Sequence, residues 1–131
     1  MTSGDVIKTQ GSAVFPLVLH HGVVLQDGSN TFVMHNTPDK GGAVIEPLPS
    51  FLETRRIVSI TPSHLNNLSN TELINRFKTS AGRFDLISYN CEHFVERMLG
   101  RKIQSTQLVF WAVVILVITF ALLWMVVRKL R

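Results

Sequence analysis

Disulfide chemistry is missing from this chain, because Cys91 is the only cysteine in 131 residues and no intramolecular crosslink can form. A lone thiol also suits a reducing compartment. No CxxC or HxxxH spacing occurs, and the adjacent His20 and His21 suit opposite faces of a strand better than a shared metal. Neither a metal nor another cofactor is expected. An excess of positive charge is also missing from the body of the chain. Of 13 Lys and Arg, three close the C-terminus (Arg128, Lys129, Arg131), and the rest nearly balance 9 Asp and Glu. The formal net charge of +4 therefore reflects the tail. With no basic stripe interleaved with aromatics, nucleic acid drops out as a partner.

Charge is wholly absent from Leu108 to Val127, where "LVFWAVVILVITFALLWMVV" has Thr119 as its one polar residue. About twenty helical residues span ~30 Å, the thickness of a bilayer's hydrocarbon core. Trp111 and Trp124 lie near the two ends, where indole rings favour the headgroup region. Arg101 and Lys102 precede the run, so both flanks can hold charge in water. Nothing N-terminal resembles a signal peptide, and the span sits at the C-terminal end. This is the layout of a single-pass tail anchor, with the preceding domain expected on the cytosolic side. Basic residues on both flanks leave the positive-inside rule only a weak vote on that orientation.

The expected organisation is a flexible lead-in over 1–13, a domain over 14–107, the membrane anchor over 108–127 and a basic tail over 128–131. Within the domain, "VFPLVLHHGVVL", "TFVMH", "AVIE" and "RRIVSI" are short apolar runs separated by "QDGSN", "NTPDKGG" and "PLPS". Their lengths, Val/Ile/Phe/Thr content and turn punctuation predict strands of an antiparallel sheet, with Pro16 at a strand start or edge. After Pro62 the pattern becomes helical. Ser69 and Glu72 have capping-box spacing, Leu73, Ile74 and Phe77 recur at helical intervals, and Gly82 is a stop. "FDLIS" reads as a short extended link. A second helix is predicted from about Asn90 to Leu99, closed by Gly100. The class is α+β, a small antiparallel sheet packed with helices plus a C-terminal transmembrane helix.

If Asn90 caps that second helix, Cys91 falls in its first turn. Unpaired amides and the positive end of the dipole there stabilise a thiolate and could hold an oxyanion. Cys91, Val95 and Met98 share the face expected to pack on the sheet, within reach of a strand histidine acting as general base and acid. His93 follows by two residues, roughly 200° around a helix, so it faces away from Cys91 and is expected to cap, hydrogen-bond or sit at the surface. His20 and His21 point to opposite sheet faces, so only one of them can join the site. His35 ends the partner strand and could meet one of that pair. By spacing alone, a lone cysteine is more often a small buried thiol than a nucleophile.

"NCEHFV", Asn90 to Val95, resembles the cysteine motif of the lecithin retinol acyltransferase-like superfamily, which includes the animal phospholipase A and acyltransferase proteins. "HHGVVLQDG", His20 to Gly28, is similar to that superfamily's first motif, with His20 in the catalytic position and Gly22 in the small one. "VMHNTP" places His35 at the second histidine, and the hydrophobic C-terminus matches the animal members. The sequence departs from the family at Gln26, where glycine is usual, and at His21, where an aromatic is usual, which keeps His21 open as the base. The resemblance implies a circularly permuted papain-like (NlpC-type) domain. It also implies thiol-dependent phospholipase A/acyltransferase chemistry on a phospholipid in a membrane bilayer. Cys91 would be the nucleophile, His20 the base and acid, and His35 the group that orients His20, with Asn90 and His21 in support. The acyl group would pass from Cys91 to water, an amine, an alcohol or a lysophospholipid. The competing readings are a papain-like peptidase or amidase and an inactive membrane-recruitment protein.

Overall fold

The structure, a computed structural model, describes residues 1–11, 17–53 and 55–130. Pro16 lies outside the described residues. The strands are β1 (Val6–Gln10), β2 (Leu19–Asp27), β3 (Asn30–Thr37), β4 (Gly42–Pro47) and β5 (Ile57–Thr61). They form one antiparallel five-stranded sheet in the order β4-β3-β2-β1-β5. The helices are α1 (Leu48–Leu52), α2 (Asn70–Ser80), α3 (Cys91–Met98) and α4 (Thr106–Leu130). The α+β class and antiparallel sheet are as expected.

Both faces of the central strands are covered. On one, Val23, Leu25 and Met34 pack against Leu73 of α2 and Phe94, Val95 and Met98 of α3. On the other, Ile7, Val24 and Val33 pack against Phe51 of α1. Side chains alternate along a strand, so this double cover explains why "GVVL" in β2 is buried without a break. Gly22 on the α1 face has no room for a side chain, since a Cβ there would meet Val33 Cγ1 at 2.4 Å.

The lead-in expected over residues 1–13 is a correction. Val6–Gln10 forms β1, in register with β2 through Val6–Val23 and Thr9–His20, and it separates β2 from β5. Ile7 and Thr9 are fully buried. The predicted link "FDLIS" is likewise a tight turn, with Asp85 and Tyr89 exchanging backbone hydrogen bonds at 3.0 and 2.9 Å. The Asp85 carboxylate accepts from the amides of Ile87 and Ser88, and these contacts close the chain on itself.

α2 and α3 both begin on reciprocal caps. Ser69 Oγ accepts from the Glu72 amide, and Glu72 Oε2 accepts from that of Ser69. Asn90 Oδ1 accepts from the amides of Glu92 at 3.0 Å and His93 at 3.1 Å, while His93 Nδ1 accepts from the Asn90 amide. Such a cap contributes about 1 kcal/mol. His93 is therefore a buried capping residue, and Asn90 sets where α3 starts. α3 buries Phe94 and Met98 completely, about 1.5–3 kcal/mol of transfer free energy each. It ends at Gly100, whose φ of +65° is the left-handed conformation glycine adopts easily.

α4 leaves the domain with an 18-residue stretch inside Thr106–Lys129 at a mean hydropathy of 2.8, no part of it buried by the protein. Twenty-five residues reach ~37 Å, long and apolar enough to cross a membrane.

Candidate active site

The sheet divides the expected constellation. Cys91 opens α3 on one face, at the end of β2 where the strand begins. Its Sγ donates to the carbonyl of Leu19 at 3.8 Å, and the backbone amide of His21 points at the sulfur. Parity along β2 places the His21 side chain with Val23 and Leu25, on the α3 face. His20 and His35 lie on the other face with Phe51. The ring centroids of His20 and His35 are 5.3 and 4.9 Å from that of Phe51. His20 and His35 do meet, as expected, and no hydrogen bond among the described residues joins either ring to Cys91.

On the α1 face the two histidines form a line. His20 Nε2 and His35 Nδ1 are 2.8 Å apart, and His35 Nε2 lies 2.6 Å from Glu46 Oε1. With both rings neutral, His20 Nε2–H donates to His35 Nδ1, and His35 Nε2–H donates to the carboxylate. Burial lowers His20 well below its ordinary 6.5, and the charges of His35 and Arg55 add to this. Burial also lowers His35, outweighing the opposing pull of Glu46. Beside the line is a cavity of about 350 Å³ lined by His35, Thr37, Asp39, Lys40, Glu46, Ser50, Glu53 and Arg55. Glu46 was not expected from sequence. The alternation of "AVIE" does place Val44 and Glu46 on one face of β4, and the register sets Val44 opposite His35.

The α3 face holds a different set. His21 pairs across the sheet with Lys8 of β1. On the other side, one step beyond the Gly22–His35 pair, its neighbour is Asn36 of β3. His21 Nε2 and Asn36 Oδ1 are both buried without a hydrogen-bond partner, and Asn36 Nδ2 is fixed by donating to the Tyr89 carbonyl at 2.7 Å. A ring nitrogen that can donate and an amide oxygen that can only accept are thus left open on neighbouring strands and the same face. The sequence signal for Asn36 was its place directly after His35, which alternation turns to the opposite face.

Burial pushes the Cys91 thiol up to about 11, opposed by the His21 amide and reinforced by the Glu92 carboxylate. Burial also lowers His21 to about 4, with Lys8 adding and Glu92 opposing. The thiolate expected from the helix N-terminus is therefore not the resting form, because desolvation outweighs the dipole. Asn90 Oδ1 takes the amides of Glu92 and His93. Of the first-turn amides, that of Cys91 itself is left for an oxyanion.

This corner of the domain is also where α4 attaches. Gln107 Oε1 accepts from the Leu19 amide at 2.7 Å, and Gln107 Nε2 donates to the Leu19 carbonyl at 3.1 Å. Glu92 Oε2 accepts from Ser105 Oγ at 2.6 Å and from the Gln107 amide at 3.3 Å. Burial would raise the Glu92 carboxyl, but these donors hold it below the usual carboxylate value. The Leu19 carbonyl consequently receives both Gln107 Nε2 and Cys91 Sγ.

No protein-family model, curated protein or solved structure matches the chain. The chemistry is therefore argued from the geometry of the two faces.

Proposed function

We propose that this protein is a membrane-anchored, thiol-dependent phospholipase A/acyltransferase, with Cys91 as nucleophile and His21 as base. The observation that carries this reading is the cysteine at the capped N-terminus of α3, facing the strand surface where the His21 ring keeps a buried, unpaired nitrogen. The likeness of "NCEHFV" to the lecithin retinol acyltransferase-like cysteine motif and the permuted papain-like plan it implies support the same reading. So does a helix able to hold the domain against lipid. We assign the base role to His21 and not His20 because the His21 side chain is on the face that α3 packs against.

His21 takes the thiol proton as Cys91 Sγ attacks the ester carbonyl of a glycerophospholipid. The Cys91 amide receives the oxyanion. Collapse of the intermediate breaks the acyl–oxygen bond. His21 returns the proton to the departing glycerol oxygen, which leaves an acyl-thioester and a lysophospholipid. Water or an alcohol, amine or lysophospholipid then attacks the thioester, giving its proton to His21, and the thiol is regenerated with that proton. Asn36 Oδ1, unpaired at rest on the same face, takes His21 Nε2–H only in the reacting complex and so orients the ring, leaving Nδ1 for the sulfur. Since thiol and imidazole are both neutral at rest, proton transfer accompanies attack and does not precede it.

Mass spectrometry of Cys91 after incubation with mixed phospholipid liposomes tests the proposal. An added acyl mass is expected on Cys91 and is expected to vanish in Cys91→Ala. Full lipid cleavage by Cys91→Ala would refute it.

One observation favours a second reading. The thiol is pushed up to about 11, and no imidazole nitrogen is bonded to it, a state that suits a non-catalytic membrane-recruitment protein. In that case Cys91→Ala keeps the cellular effect, and removal of 108–131 abolishes it.

A further inference from the structure

The turn that delivers the chain to Cys91 carries two large apolar side chains that stand mostly in the open. Leu86 is 64% exposed and Ile87 76%. Their exposure is held in place by hydrogen bonds. The backbone pairing of Asp85 with Tyr89 closes the turn, and the Asp85 carboxylate accepts from the amides of Ile87 at 3.0 Å and Ser88 at 2.7 Å. The Tyr89 hydroxyl donates to the Ser80 carbonyl, fixing the base of the turn to the end of α2. A tip stiffened in this way presents its apolar residues to the surroundings.

The tip also has a definite place. The Leu86 carbonyl accepts from Asn90 Nδ2 at 3.1 Å, and Asn90 caps the helix whose Glu92 grips Ser105 and Gln107 at the start of α4. Two more exposed apolar residues flank the same corner. Leu17, at 77% exposed, precedes the Leu19 that Gln107 grips, and Ile103, at 46%, precedes α4. Exposed Arg83, Arg101 and Lys102 lie in the same segments, as basic residues do where they reach headgroup phosphates. An apolar tip rimmed by cations, continuous with a helix able to span a bilayer, matches a lipid surface in both polarity and charge.

We propose that the Leu86–Ile87 turn is a second membrane contact, its side chains entering the headgroup–acyl boundary next to the point where α4 enters the bilayer. This rests on the reading of α4 as a membrane anchor. A single helix leaves a domain free to tilt and rotate about it. A second contact on the Cys91 side removes that freedom and turns the N-terminal end of α3 toward lipid. The β2–β3 turn at Gly28–Ser29, about 27 Å away along β2, then faces water.

The test uses the full chain in phosphatidylcholine–phosphatidylserine vesicles, with Cys91→Ala removing the native thiol. Single nitroxide labels are placed through Ile87→Cys, Leu86→Cys, Ser29→Cys and Val117→Cys, and collisions with oxygen and with an aqueous nickel chelate give the depth of each. The expected result is Val117 deep in hydrocarbon, Leu86 and Ile87 at the boundary with oxygen favoured over nickel, and Ser29 in water. Leu86 and Ile87 labels as open to nickel as Ser29, with Val117 still deep, overturn the second contact and leave the anchor standing. A Val117 label open to nickel overturns the anchor reading and the second contact with it.

Discussion

The two faces of the sheet carry similar inventories in opposite states. On the α1 face, His20, His35 and Glu46 form a line in which the His35 ring is bonded at both nitrogens, and no sulfur is present. On the α3 face, Cys91, His21 and Asn36 sit near one another with a ring nitrogen and an amide oxygen unpaired. A satisfied network lowers the energy of the folded state and is rigid, while open donors and acceptors cost stability unless a substrate or a moving proton uses them. On the proposed reading, chemistry belongs to the α3 face and stability to the bonded line, beside which Thr9 Oγ1 is also unpaired, although adjacent residues of one dipeptide serve them.

The strongest way to break this comparison is to remove the groups assigned to chemistry. Cys91→Ala is expected to lower phospholipid cleavage by about a thousandfold or more, and His21→Gln by about a hundredfold to ten-thousandfold. His20→Gln should stay within about threefold of the parent, since losses as large as those of a general base need a group that touches the reacting atoms. Assays of the three purified variants on the same liposomes decide the matter. A His20→Gln loss equal to that of His21→Gln would reverse the roles of the faces.

The next effect falls on the other face. Phe51, fully buried against both rings of the line, is expected to cost about 3–5 kcal/mol when changed to alanine, read from denaturant unfolding of the full chain in detergent. The surviving folded fraction of Phe51→Ala should keep its rate per active site. Loss of rate without loss of stability would place chemistry on the α1 face.

How far the sequence showed these assignments varies by element. α2 and α3 were legible because their caps are local chemistry: Ser69 with Glu72, and Asn90 before an apolar face. The β2–β3 hairpin was legible from Asp27-Gly28, and the apolar C-terminal helix from its lack of charge. β1 was not, because five residues with Lys8 and Gln10 among them are too short and too polar to stand out. Cys91 and the histidine pair were readable as residues, but their faces were not. Val23 and Val24 are both fully buried, so the strand shows no alternation that says which side the Cys91 helix covers. The resemblance nominated His20, and the register of β2 under α3 favours its neighbour.

Smaller effects sharpen the contrast. Asn36→Ala is expected to lower kcat by about tenfold with little change in KM, because a ring held in the wrong orientation loses transition-state interactions first. An unchanged kcat would remove Asn36 from the site. In the proposed mechanism the base is neutral His21, so kcat/KM should fall as pH drops through about 4 and stay level until thiol ionisation near 11. A bell centred near neutrality would instead indicate a preformed thiolate–imidazolium pair.

The smallest effect concerns stability against acid. His20 and His35 have folded values below 6.5, so between those values and 6.5 the unfolded chain binds more protons. Their contribution is fully present above 6.5 and is lost as pH falls below it. The melting temperature should therefore drop between about pH 7 and pH 5, and the drop should shrink in His20→Asn/His35→Asn. An equal drop in that double variant would assign the acid sensitivity elsewhere.

The grip of Gln107 on Leu19 has a mechanical side. Its side-chain amide donates to and accepts from one residue of β2 as a neighbouring strand would, so the first turn of α4 is coupled to the sheet through a fork that resists rotation. If α4 spans a bilayer, its apolar run of ~30 Å matches a ~30 Å hydrocarbon layer and has to tilt where the layer is thinner. That torque arrives at the Leu19 carbonyl, the same oxygen that holds the Cys91 thiol. Lever and latch share one atom, so a change in the tilt of α4 would act on the oxygen that holds the thiol.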